Sequence, residues 1–167
     1  MTLVVEDGTG LSNSESYISV SDADTYHDKF ANDIWNSYSP GKKEAALRKA
    51  TQYIDGKFGQ SFPGGRSKDS QALSWPRTCA AYEDNVTIDE DVVPQEVKNA
   101  TAELALRSAA GDLESDITKQ DRAIRERVDV IEVVYAPGTS TAPSYPSVLT
   151  ILSRLIGPTN YGRIRRT

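Results

Sequence analysis

Residues 93–111 read VPQEVKNATAELALRSAAG, and their pattern decides the fold class. Proline has the fixed φ of a first helical turn and lacks the amide that would go unbonded there. Pro94 therefore opens a helix, with Gln95 and Glu96 in its first turn and Gly111 as its stop. Val97, Ala100, Thr101 and Leu104 fall on one face, and Ala102, Leu106 and Ala109 on a second. A helix apolar on two faces is covered on both, and its alanines let neighbours approach closely. The segment is expected at the centre of a small bundle.

Its neighbours can be read outward from there. Ser39 before Pro40 is a cap followed by a first-turn proline, and Leu47, Ala50, Ile54 and Phe58 then form one stripe, so a helix is expected over 40–57. Ser19 or Ser21 can cap a helix near 21–31, where Asp22 and Asp24 meet the positive end of the dipole and Tyr26 and Phe30 share a face. Val148, Leu149, Ile151, Leu152, Leu155 and Ile156 mark a strongly amphipathic helix over 146–156, stopped by Gly157 and Pro158. Between residues 122 and 136, Ile131, Val133 and Tyr135 alternate with Glu132 and Val134, as in a short β-hairpin. A lone hairpin is marginal and leaves its edges unpaired, so those three residues are candidates for pairing with another subunit.

The expected architecture is mainly α: a bundle of about four helices with a short β-hairpin and extended N- and C-terminal arms, residues 1–157 forming one domain and 158–167 a basic arm. Residues 1–16, rich in Gly, Ser, Thr and Asn, read as an irregular arm in which Leu3, Val4 and Val5 can add a short strand. Helical periodicity is lost between Gly59 and Asp91, and so long a connection must organise itself around something apolar, for which Phe62, Leu73, Trp75 and Tyr82 are the candidates. Phe62, Trp75, Pro76 and Arg77 are read as a structural loop, the tryptophan buried and the arginine covering it.

The chain has 167 residues, 38% apolar and 26% charged, which is ordinary for a single globular domain. Its one cysteine, Cys79, excludes an internal disulfide and any multi-cysteine zinc site. No apolar run approaches the roughly 18 residues of a membrane span, and the first residues lack the basic flank of a signal peptide, so a soluble protein made in a cytoplasm, with no membrane partner, is expected. Charge is unevenly placed. Residues 1–149 carry 15 basic and 24 acidic groups, whereas residues 150–167 carry Arg154, Arg163, Arg165 and Arg166 and no acid. The first 33 residues hold Glu6, Asp7, Glu15, Asp22, Asp24, Asp28 and Asp33 against Lys29 alone. An acidic front and a basic end suit head-to-tail association of copies.

No catalytic, metal or cofactor residues stand out, and no enzyme is expected. His27, the sole histidine, lies mid-helix without a matched nucleophile and reads as a surface or interface residue. No glycine-rich run ends in the Lys-Ser/Thr of a phosphate loop, and the acids Asp84, Asp89, Glu90, Asp91 and Glu96, with Asn85, lack the turn glycine of a calcium loop. Tyr161, Arg163, Arg165 and Arg166 do combine a stacking ring with phosphate-pairing cations, as single-strand binders do.

Five runs taken together resemble a known family: SYISVSDADTYH at 16–27, EAALRKATQYIDGKFG at 44–59, QALSWPRT at 71–78, VPQEVKNATAELALR at 93–107 and PSVLTILSRLIG at 146–157. They resemble the head-tail connector, or adaptor, proteins of tailed bacteriophages, some of which carry the label DnaT-like single-stranded DNA-binding. The resemblance implies a virion protein of the neck, made in the bacterial host cytoplasm and assembled as a ring, typically of twelve copies, beneath the portal. It further implies a stopper or tail protein on the opposite face and double-stranded DNA only as passing cargo. Tyr161, Arg163, Ile164, Arg165 and Arg166 would form the portal-binding arm, the isoleucine and tyrosine as anchors and the arginines pairing carboxylates. The alternative is a single-stranded DNA-binding protein of a phage replication or primosome system.

Overall fold

In a computed structural model, helix α4 (Gln95–Ala110) lies at the centre, packed chiefly on α3 (Pro40–Phe58) and also touching α5 (Pro146–Ile156) and α1 (Val20–Lys29). The structure describes residues 2–114 and 144–156, together with the backbone of two strands at 125–128 and 131–134. Ala100, Ala102 and Ala105 of α4 are fully buried, and where α3 comes close the Ser108 hydroxyl donates to the Ala46 carbonyl at 3.0 Å. Leu47 and Ile54 of α3, Val97 and Leu104 of α4, and Val148 and Leu152 of α5 fill the core between them, each shielded completely from water.

Local chemistry sets the helix ends. Ser19 caps α1, its hydroxyl accepting the Asp22 amide at 3.0 Å, and Ser39 caps α3 ahead of Pro40. Pro94 precedes α4 and Gly111 follows it. The four long helices match the expected spans to within two residues. A fifth, α2 (Asp33–Asn36), was not anticipated, because a single turn is too short to display periodicity. It carries Trp35 into the core, where the indole N–H donates to Asp24 at 2.6 Å and Lys43 pairs with the same carboxylate at 2.8 Å.

His27 corrects an expectation. It is fully buried, not at a surface, because Ala23 and His27, one turn apart on α1, share the face that meets α4. A carbonyl can only accept, so Nε2–H donates to the Ala102 carbonyl at 3.1 Å, and Nδ1 then accepts from the Asn32 amide at 3.1 Å. Those partners fix a neutral ring, and burial lowers its pKa below the ordinary 6.5.

The N-terminal segment makes one parallel β-bridge, Val5 to Ser16, and closes as a loop around a buried carboxylate. Glu6 accepts the amides of Gly8, Gly10 and Leu11 and the Ser14 hydroxyl at 2.8–3.1 Å. Two small antiparallel ribbons complete the described chain. Strands β1 (Gly65–Arg66) and β2 (Arg77–Thr78) pair Arg66 with Arg77, and β3 (Arg125–Val128) and β4 (Ile131–Val134) pair Val128 with Ile131 and Glu126 with Val133. Of the candidate pairing residues, Ile131 and Val133 fall on the β4 backbone and Tyr135 lies outside the described residues. No described helix is long and apolar enough to cross a membrane.

Candidate functional site

The connection from Gly59 to Thr78 leaves α3 and returns under it, and its interior is built around Trp75. The indole is fully buried and meets the Phe62 ring edge-on, with centroids 5.5 Å apart. Arg77 holds the loop's shape. Its guanidinium donates to the carbonyls of Pro63 at 2.7 Å, Gly64 at 2.8 Å, Ser74 at 3.2 Å and Phe62 at 3.3 Å. Pro76 is buried, and its carbonyl accepts from the Gln71 side chain at 3.0 Å and the Ser67 amide at 3.2 Å. Leu73 is buried with them, while Tyr82 is half-buried and reaches Glu96 at 3.0 Å.

Behind the loop, the Tyr17 hydroxyl donates to Asp55 and accepts the backbone amides of Ser74 at 3.0 Å and Trp75 at 3.3 Å. The second Asp55 oxygen accepts the Ser74 amide at 2.9 Å. Burial pushes the Asp55 carboxyl above its ordinary range, and burial together with Asp55 pushes the Tyr17 hydroxyl well above its own. Burial also holds the Arg77 guanidinium below its usual range.

These groups border a cavity of about 440 Å³ lined by Asp55, Gln60, Phe62, Arg66, Ser74 and Arg77 among others. Gly64 shapes its rim, with φ at +72° and a position where a Cβ would lie 2.2 Å from the Thr78 carbonyl oxygen. Arg66 is exposed and donates to the Gln71 carbonyl, and among the described residues neither Arg66 nor Arg77 pairs with a carboxylate.

The run 57–78 is basic although the protein is acidic: Lys57, Arg66, Lys68 and Arg77 stand against Asp69, and Asp55 adds a second acid on the cavity lining. Sequence reasoning singled out Phe62, Trp75, Pro76 and Arg77 but missed Asp55, Gln60, Arg66 and Ser74. A local charge count over 57–78 would have pointed to Arg66; Asp55, Gln60 and Ser74 carry no such signal in that window. The acidic stretch near 84–96 is not gathered for a metal. Asp84 and Glu96 instead hold Arg154 of α5, at 2.9 and 3.5 Å, and its guanidinium sits 4.2 Å from the Tyr82 ring centre. Tyr161, Arg163, Ile164, Arg165 and Arg166 lie outside the described residues.

A family model described as "Putative DnaT-like ssDNA binding protein" matches residues 1–167. No curated protein and no solved structure matches the chain. The family match overturns the head-tail connector assignment, and with it the virion role, the portal as partner, the ring of copies, the stopper or tail protein and double-stranded DNA as mere cargo. Matched from its first residue to its last, the chain belongs to the family of DnaT-like ssDNA-binding proteins.

Proposed function

We propose that this protein binds single-stranded DNA, without catalysing a reaction on it, in a phage replication or primosome system in the bacterial host cytoplasm. The observation that carries the proposal is the family match over the whole chain. A single strand offers phosphates and unpaired bases. A protein of net charge -5 must meet them through local basic elements, because the rest of its surface repels polyanions. Two such elements are available. One is the 59–78 connection with Arg66, Lys68 and Arg77, and Lys57 at the end of α3 beside it. The other is the C-terminal run, where the Tyr161 ring is suited to stacking on a base and Arg163, Arg165 and Arg166 to pairing with phosphates.

The test is fluorescence anisotropy of a labelled oligothymidylate and of a duplex of equal length, over a salt series. The expected outcome is preference for the single strand, with affinity falling as salt rises. Three arginine–phosphate contacts contribute about 2 to the log–log salt slope, at about 0.7 per contact, so removing residues 158–167 lowers the slope by about that amount. No binding of the oligothymidylate at low salt, or tighter binding of the duplex, overturns the proposal.

A further inference from the structure

The cavity beneath the 59–78 connection has a mostly polar lining that carries more positive than negative charge. Its volume, about 440 Å³, lies within the range of small-ligand sites, roughly 300–1,000 Å³. Its lining is polar apart from Phe62, Leu73 and Ala72, and it brings two guanidinium groups to one opening. Like charges placed together repel, and the charge on Arg66 is one of the influences that disfavour the charged form of Arg77, after burial. Asp55 offsets part of this repulsion, but its two oxygens are engaged by Tyr17 and the Ser74 amide. The lining still holds two cations against one carboxylate.

The two arginines have different work. Arg77 is buried and commits its N–H groups to four loop carbonyls. Arg66 is exposed, commits one N–H to the Gln71 carbonyl, and retains the rest of its planar fork. That fork matches two oxygens of a phosphate. Gln60 and Ser74 add polar groups along the same lining.

We propose that this cavity is a nucleotide site, in which the Arg66 guanidinium holds a phosphate and the Gln60 and Ser74 side chains face the nucleoside. The inference rests on single-stranded DNA as the partner and names where one nucleotide of that strand is held. Arg77 acts as a positioning residue, tying the Gly64 and Ser74 walls to one guanidinium and adding positive potential from behind.

The test is a calorimetric titration of the full chain with thymidine 5′-monophosphate, with thymidine and with an oligothymidylate, repeated on Arg66→Gln. The mononucleotide is expected to bind saturably and thymidine at least about tenfold more weakly. Arg66→Gln, at an exposed position, is expected to weaken the mononucleotide by about tenfold or more with an unchanged melting temperature. Equal binding of thymidine and its monophosphate, or an Arg66→Gln variant that binds the mononucleotide like the wild type, overturns the site. The two proposals fail separately. Oligothymidylate binding that Arg66→Gln leaves untouched removes the cavity and keeps single-strand binding, whereas a protein that takes the mononucleotide but no oligothymidylate removes single-strand binding.

Discussion

Replacing Arg77 by methionine keeps the aliphatic stem that fills the loop and removes only the guanidinium. The carbonyls of Phe62, Pro63, Gly64 and Ser74 then lose their shared donor. A hydrogen bond to a charged group contributes about 1.5–3 kcal/mol net, so four would suggest a very large loss. The loss is smaller than that sum, for two reasons. Water follows the missing guanidinium to carbonyls near the surface, Arg77 being 8% exposed, and removing a buried cation also removes its desolvation cost. A destabilisation of about 3–5 kcal/mol is expected, comparable to breaking a buried charged network. Lysine, a point charge that cannot span four acceptors, should recover only part of it. The assay is urea unfolding, in which the midpoint falls while the slope with denaturant stays constant. A cost below about 1 kcal/mol for Arg77→Met, or a lysine variant as stable as the wild type, would refute the claim that this guanidinium organises the loop.

Other perturbations test other parts of the fold. His27 has a folded pKa lowered by burial below the ordinary 6.5, so below about pH 6.5 the unfolded chain takes up the proton first. Stability is therefore fully present above that pH and declines as pH falls toward the folded value; a His27→Gln variant should show a flatter decline between about pH 7 and 5 in thermal melts. Gly64→Ala should cost about 2 kcal/mol or more, since the new Cβ meets the Thr78 carbonyl at a positive φ, whereas Gly56→Ala, within α3 and facing open space, should stabilise by about 0.5–1 kcal/mol. Asp24→Ala leaves the Trp35 indole and the largely buried Lys43 ammonium without their shared acceptor, and should lower the urea midpoint by an amount equivalent to about 2–3 kcal/mol.

What was legible in the sequence was what repeats. The stripes of α3, α4 and α5 recur at helical spacing, Ser39, Pro94 and Gly111 punctuate α3 and α4, and Ser19 marks the start of α1, so element type and extent followed from one-dimensional pattern. What was not legible depended on partners distant in sequence. His27 looks polar and solitary until Ala102, 75 residues away, supplies its acceptor. Glu6 looks like one more acid on an acidic front until the amides of Gly8, Gly10 and Leu11 turn inward around it. The cavity is assembled from the end of α3 and a glycine-containing loop with no period, so no stripe announces it.

The same distinction bears on how an acidic protein can serve a polyanion. Net charge sets the far field, and at -5 that field keeps DNA from adhering at arbitrary points on the surface. Contact is decided within a Debye length, roughly 8 Å at physiological salt, where only neighbouring groups count. Several acids are already paired inside the fold, their charge partly offset: Asp24 with Lys43, Glu15 and Glu44 with the single Arg48, Asp84 and Glu96 with the single Arg154. Arg66 and Arg77 are instead turned toward backbone carbonyls, which satisfy their N–H groups without cancelling their charge. A carbonyl-held guanidinium keeps its field available to a ligand where a carboxylate-paired one does not. Converting Gln60, on the same lining, to glutamate would test this directly, because one added carboxylate should suppress phosphate binding there while leaving the carbonyl clamp and the fold intact. A Gln60→Glu protein that bound thymidine 5′-monophosphate as tightly as the wild type would show that the cavity's field is not what attracts the anion.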